Sequence, residues 1–177
     1  SFQSVTTEAE LVPDQADTLK NYYVNDFGST FTETNGQPSN ALANLGAIGL
    51  NGKLLQQAYI GLNSHPLGNK HLLDKAADGT TYSEVHDVFH SNYRTFLESF
   101  GYYDIFMVDN SGNVVYSVFK ELDYATNLID GPYKTSGLAE AFTGAKHLEK
   151  GAFNFIDYAP YYPSYDSPAS FIATPVV

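Results

Sequence analysis

The chain has 177 residues, 43% hydrophobic and 15% aromatic, a composition that folds around a core rather than staying disordered. Its 20 Asp and Glu oppose nine Lys and Arg, and a net charge of -11 disfavours nucleic acid and anionic membrane surfaces, both of which need a cationic face. Cysteine is absent, which excludes disulfides, thiolate chemistry and cysteine-type zinc sites.

In chain order, residues 1–11 are mixed and polar with little periodicity. Residues 13–27 (PDQADTLKNYYVNDF) predict a helix, with Pro13 in its first turn, Asp14 at its positive end and Leu19, Tyr22, Tyr23 and Phe27 sharing a face. Residues 28–40 read as loop, residues 51–62 as a second helix ended at His65-Pro66, and residues 68–79 as a polar connector. The plainest helix spans 81–100. Thr81 with Glu84 makes a capping-box pattern and Thr80 is a neighbouring cap candidate. Tyr82, Val85, Phe89, Tyr93, Phe96, Leu97 and Phe100 form a broad apolar stripe expected to pack inward, and Gly101 is a stop.

Residues 102–108 and 113–119 then read as two strands of a hairpin around the turn Asp109-Asn110-Ser111-Gly112. A long loop leads past Gly131-Pro132 to a short helix over 137–146. Residues 152–158 and 169–177 read as third and fourth strands, separated by APYYPSYDSP, a proline- and tyrosine-rich loop. The expected class is α+β, divided into a helical region with its connector (1–79) and a sheet module entered by the long helix (80–177). No apolar run reaches the length of a transmembrane helix and no signal peptide is recognised. The start at Ser1 and the apolar end FIATPVV read as cuts in a longer protein.

No GxSxG elbow, GxGxxG loop or Walker motif occurs, so neither enzymatic activity nor a cofactor is expected. His86 and His90 stand at a spacing that can clamp a metal. Asp87-Val88-Phe89 between them lacks the HExxH glutamate and no third ligand is identifiable, so the pair reads as helix-surface or boundary histidines. Strand ends and long loops commonly border small-molecule sites, and there the chain offers Tyr116, Lys120, Asp123, Tyr124, Asn127, Tyr133 and Lys134, then Asp157, Tyr158 and Tyr161. The bland reading is that the tyrosines close a core and that Lys120 and Glu121 are simply solvated.

Two stretches, FGYYDIFMVDNSGNVVYSVFKELDYATNLIDGPYKTSGLAEAF and FIDYAPYYPSYDSPASFIATPVV, resemble the extracytoplasmic sensor region of bacterial methyl-accepting chemotaxis proteins. The likeness continues more weakly through QQAYIGLNSHPLGNKHLLDKAADGTTYSEVH. It implies a PAS-like Cache module with a central antiparallel sheet and a long N-terminal helical segment, the periplasmic input domain of an inner-membrane receptor that works as a homodimer. Similar regions occur on histidine kinases and cyclases, and a free periplasmic solute-binding module is the other reading. In family members the stretch matching 171–177 is followed by a further apolar strand. Amino-acid-sensing members carry Tyr, Arg and Trp on the entry helix and a later Asp. This chain has no Trp, and Arg94 and Asp157 are counterparts by location. Taken with the polar residues near the strand ends, the ligand-binding candidates are Arg94, Tyr116, Lys120, Asp123, Asn127, Tyr133, Asp157 and Tyr161.

Overall fold

The computed structural model describes residues 13–176, so the polar start over 1–11 and Val177 lie outside the described residues. The first helix, α1 (Pro13–Asn21), does not end at Phe27. It passes through a π-helical turn (Tyr22–Phe27) into α2 (Gly28–Asn35), which buries Phe31, and stops only at Gly36. Residues 28–40 read as loop, yet Gly28 keeps helical dihedrals and the helix runs on to Asn35, because the apolar spacing continues through Phe27 to Phe31. Two further helices follow, α3 (Ala41–Gly46) and α4 (Leu50–Gln56), the latter continued by a second π turn (Gln57–Gly61). The connector holds only a 3-10 turn (Lys70–Leu72).

Helix α5 (Thr81–Phe100) has the predicted bounds. Thr80 is its cap, with the hydroxyl accepting from Ser83 N at 3.2 Å, and Gly101 ends it at a φ of 70°, where a side chain would be strained. Its buried face differs from the predicted one. Ser83, His86, His90 and Leu97 turn inward, while Val85, Phe89, Phe96 and Phe100 are exposed. The 3.6-residue period was right, but the inward face was decided by hydrogen-bond partners that no helical wheel displays. His86 Nδ1 donates to Asp74 O at 2.6 Å and His90 Nε2 to His71 O at 2.7 Å, which cancels much of the cost of burying imidazole.

Strands β1 (Phe106–Val108) and β2 (Val114–Ser117) form the expected antiparallel hairpin. Asp109 builds its turn, accepting at 2.9 Å from both Ser111 N and Asn113 N. The strands are shorter than predicted because Asp104 interrupts the ladder. Its Oδ1 takes the amide of Phe119 at 3.0 Å and competes with Ile105 O for that of Val118, at 2.9 against 3.2 Å. Beyond β2 the chain doubles back and pairs again, Val114 N to Thr126 O at 2.8 Å and Ala125 N to Val114 O at 3.1 Å. Residues 118–126 therefore run as a strap beside the hairpin.

Helix α6 (Gly137–Ala145), capped by Ser136, leads to a second antiparallel hairpin of β3 (Asn154–Tyr161) and β4 (Ser167–Ala173). These strands reach into the stretch that read as a proline loop, and Pro160 and Pro168 face each other across the ladder. The class is α+β with antiparallel strands, but the named strands form two two-stranded ladders rather than one central sheet. The two hairpins meet at one apolar cluster, where Val114, Leu128, Leu138 and Tyr161 pack with Phe106, Val108 and Phe171. On the other face of the first hairpin, Leu97 of α5 covers Tyr116 and Val118. The largest core crosses from the N-terminal helices to the strap, joining Tyr23, Phe27, Leu55 and Tyr59 to Leu122, Tyr124 and Tyr133.

Candidate functional site

The strap holds most of the buried charge of the described residues. Lys120 is 1% exposed and Asp123 fully buried, so the solvated reading of Lys120 does not hold. Two non-glycine residues of the strap, Lys120 and Ala125, have positive φ, 62° and 60°, a strained backbone that surrounding structure must hold in place. What holds it is visible in the N-terminal half. Gln56 Nε2 donates to Leu122 O at 3.0 Å and Tyr124 O at 2.6 Å, while its Oε1 accepts from Tyr23 OH at 2.5 Å. Gly52 lets α4 lie on the strap, since a side-chain Cβ there would fall on the Ala125 carbonyl oxygen.

Lys120 sends its ammonium into a cage of rings. Nζ lies 4.5 Å from the Tyr116 centroid, 4.9 Å from Tyr124 and 5.7 Å from Tyr59, and donates to Ser117 O. Cation–π attraction from three desolvated rings, together with that hydrogen bond, offsets part of the burial cost. The offset is incomplete, and burial pulls the Lys120 ammonium down to about 7, against the opposing pull of Asp104. The tyrosines are tied in turn. Tyr116 OH donates to His90 Nδ1 at 2.8 Å, Tyr124 OH to Tyr82 OH at 3.0 Å, Tyr82 OH to Val115 O at 2.8 Å and Tyr59 OH to Ser83 Oγ at 3.0 Å.

Those bonds assign the histidine tautomers. His90 gives its proton to His71 O from Nε2 and receives one at Nδ1, so the neutral ring satisfies both partners. Burial, then the charge of Lys120, pushes His90 down to about 4 and His86 to about 2. The rings stack with centroids 4.3 Å apart, and His86 Nε2 has no hydrogen-bond partner. The surface or boundary reading of this pair is thus corrected. Among the described residues no group of three His, Cys, Asp or Glu stands close enough to hold a metal.

The acids of the strap titrate against the usual sense. Burial raises Asp123 to about 6, although Tyr161 OH donating to Oδ2 at 2.6 Å pulls the other way. Burial and then the Asp123 charge raise Glu121 to about 7, with Tyr103 OH and Ser164 Oγ donating to its two oxygens at 2.6 and 2.7 Å. Asp104 is raised well above the carboxylate range by the same two causes, and its Oδ2 has no hydrogen-bond partner. Beside this group opens a small cavity of about 210 Å³, walled by Tyr22, Lys70, Tyr103, Phe119, Lys120 and Glu121. Lys70 is itself buried, with Nζ donating to Asn63 O at 2.6 Å.

The predicted candidates divide accordingly. Tyr116 and Lys120 meet in the cage, Asp123 and Tyr161 share a hydrogen bond, and Tyr133 is buried in the main core. Asn127 serves the first hairpin, its amide group donating to Ser111 O and Asn113 Oδ1 and accepting from the amides of Ile129 and Asp130. Arg94 does not face Asp157. Its Nη1 donates to His71 O at 2.9 Å and pairs with Asp74 at 2.8 Å, whereas Asp157 is exposed on β3 and accepts from Tyr158 N. The sequence missed Gln56, Tyr59, Tyr82 and His90 as members of the network, since each lies on a helix whose partners come from distant segments. Asp104 and Glu121 were visible as carboxylates, but nothing local marked them as partly buried.

Comparison with protein-family models, curated proteins and solved structures finds no match for this chain. Among the described residues no helix is long and apolar enough to cross a membrane.

Proposed function

We propose that the chain is the extracytoplasmic input region of a transmembrane chemotaxis receptor, a PAS-like Cache module that binds a small solute and passes a conformational shift across the membrane. The observation that supports this reading is the strap over 118–126. It carries buried Lys120 and Asp123 and half-buried Glu121 on a strained backbone, borders a cavity, and touches both the N-terminal helices and the hairpins. Its Lys120, Glu121 and Asp123 titrate near neutrality, at about 7, 7 and 6, so a charged solute beside them changes which protonation states are favoured. A ligand that prefers one arrangement of the strap shifts the population toward it, and the helices carry that bias onward. No bond is made or broken in this role.

A cavity of this size admits a solute of about ten heavy atoms, with an acidic group for Lys70 and a basic or hydroxyl group for Glu121. The experiment is thermal melting of the folded chain across amino acids, organic acids, amines, nucleobases and sugars, with calorimetry on each hit. A ligand bound only by the folded state raises the melting temperature by mass action. A selective shift that disappears in Lys70→Met and Glu121→Gln supports the reading. A hit that survives both substitutions, or a flat panel on well-folded protein, counts against it.

A further inference from the structure

Burying His86 and His90 leaves other side chains of α5 over the first hairpin. Val85 and Phe89 are 53% and 51% exposed, yet they do not stand on an open surface. A cleft of about 590 Å³ runs between helix and hairpin, walled by Val85, Phe89 and Tyr93 on one side and by Met107, Val115 and Tyr116 on the other. That volume falls within the roughly 300–1,000 Å³ of small-molecule sites, and the walls are of the kind those sites use. Rings pack offset or edge-on against rings, and a thioether adapts to an aromatic face. The cleft shares no lining residue with the cavity beside the strap.

The polar groups of the cleft each exclude a class of ligand. Asp109 lines it from the hairpin turn, and its charge repels a carboxylate. Its own acceptors are occupied, Oδ1 by the amides of Ser111 and Asn113 and Oδ2 by the side-chain amide of Asn113. His86 also lines the cleft and is 4% exposed. Its Nδ1 donates to Asp74 O, so in the neutral ring Nε2 is an acceptor, and that atom is buried without a hydrogen-bond partner. A buried acceptor without a donor is costly, and a ligand that brings one recovers the loss. The donor is not an ammonium, because the charges of Lys120 and Arg94 already act to keep His86 unprotonated and repel a further cation there. An uncharged N–H or O–H is what remains.

We infer that this cleft is a second ligand site, for an uncharged aromatic molecule with one hydrogen-bond donor, of the phenol or indole class. Its rings lie between Phe89 and the Met107 and Val115 side of the hairpin, and its donor is delivered to His86 Nε2. The inference does not rest on the sensor reading, because it uses only the shape of the cleft and the chemistry of its walls.

The test is titration of the whole chain with 2-naphthol, followed in two ways that the composition makes unambiguous. The chain has no Trp, so naphthol emission excited beyond tyrosine absorption reports the ligand alone. Met107 is the single methionine, so a labelled methionine methyl gives one resonance, which sits in the proposed wall. Bound 2-naphthol shifts its emission and moves that resonance. It binds about 3- to 10-fold more tightly than 2-methoxynaphthalene, which is larger and more apolar but has no donor. The carboxylate 2-naphthoate and the cation 2-naphthylmethylammonium bind more weakly than 2-naphthol. Phe89→Asp abolishes both signals with an unchanged far-ultraviolet spectrum, since Phe89 is half exposed in the native chain. Equal or tighter binding of 2-methoxynaphthalene or of either charged analogue overturns the inference. So does binding that survives Phe89→Asp or leaves the Met107 resonance in place, which puts the ligand elsewhere. Absence of binding overturns it as well, as happens if a protein surface fills the cleft.

Discussion

Lys120 and Asp123 lie three residues apart in one buried strap, and burial moves them in opposite directions, which gives each a distinct pH signature. Lys120 falls to about 7 in the fold from an ordinary value of 10.5. Its contribution to stability is therefore fully present above about 10.5 and is lost as pH falls through 7. Lys120→Met removes a charge that is costly to bury, so the variant gains on the wild type as pH falls from 10 to 6, by about 1–4 kcal/mol in urea melts. Asp123 behaves in the reverse way. Its folded value is raised from 3.8 to about 6, so its contribution is complete below about 4 and disappears as pH rises through 6. Asp123→Asn keeps an acceptor for Tyr161 OH and gains on the wild type between pH 4 and 7, by roughly 1–3 kcal/mol. Equal effects at all pH values show that these groups do not carry the charge changes assigned to them.

Elements are joined here by single buried polar side chains as much as by apolar packing. Gln56 is the clearest, since one amide spans from Tyr23 to two carbonyls of the strap. Gln56→Leu leaves those three groups buried without partners and lowers stability by about 2–4 kcal/mol, more than the typical surface change. Thr80→Ala removes the cap of α5 and costs about 1 kcal/mol, read as a small drop in the denaturation midpoint at constant m-value. Legibility also varies with the element. The bounds of α5, the Asp109 turn and α6 to within a residue stood in the sequence, because capping hydroxyls and turn carboxylates act over three or four residues. The inward face of α5 did not. Phe89 is more apolar than His86, but only His86 has Asp74 O to receive its proton, and Asp74 lies in a connector whose path no periodicity gives. Likewise Asp104 shortened two strands by bonding amides 14 and 15 residues away.

On the scale of the whole molecule, the main core joins Leu55 and Tyr59 to Leu122, Tyr124 and Tyr133. Unfolding is therefore expected as one cooperative transition, with near- and far-ultraviolet signals superimposing, and residues 80–177 alone do not reach the stability of the intact chain. A separate low-temperature transition for the N-terminal helices contradicts this. Of the candidate site, Lys120 with Tyr116 and Asp123 with Tyr161 were legible as a polar, aromatic stretch near strand ends. Arg94 and Asp157 were not, because Asp74 and the connector claim the arginine.

The measurement that bears most directly on the proposed role is amide hydrogen exchange of the intact chain with and without a solute that raises its melting temperature. The strap is the element through which binding is proposed to act. Amides of residues 118–126, several of them bonded to Asp104, Ser117 and Val114, should change protection on binding while the β3–β4 ladder does not. Protection that changes only at β3–β4 or around Arg94, with the strap unaltered, contradicts the strap as the responsive element.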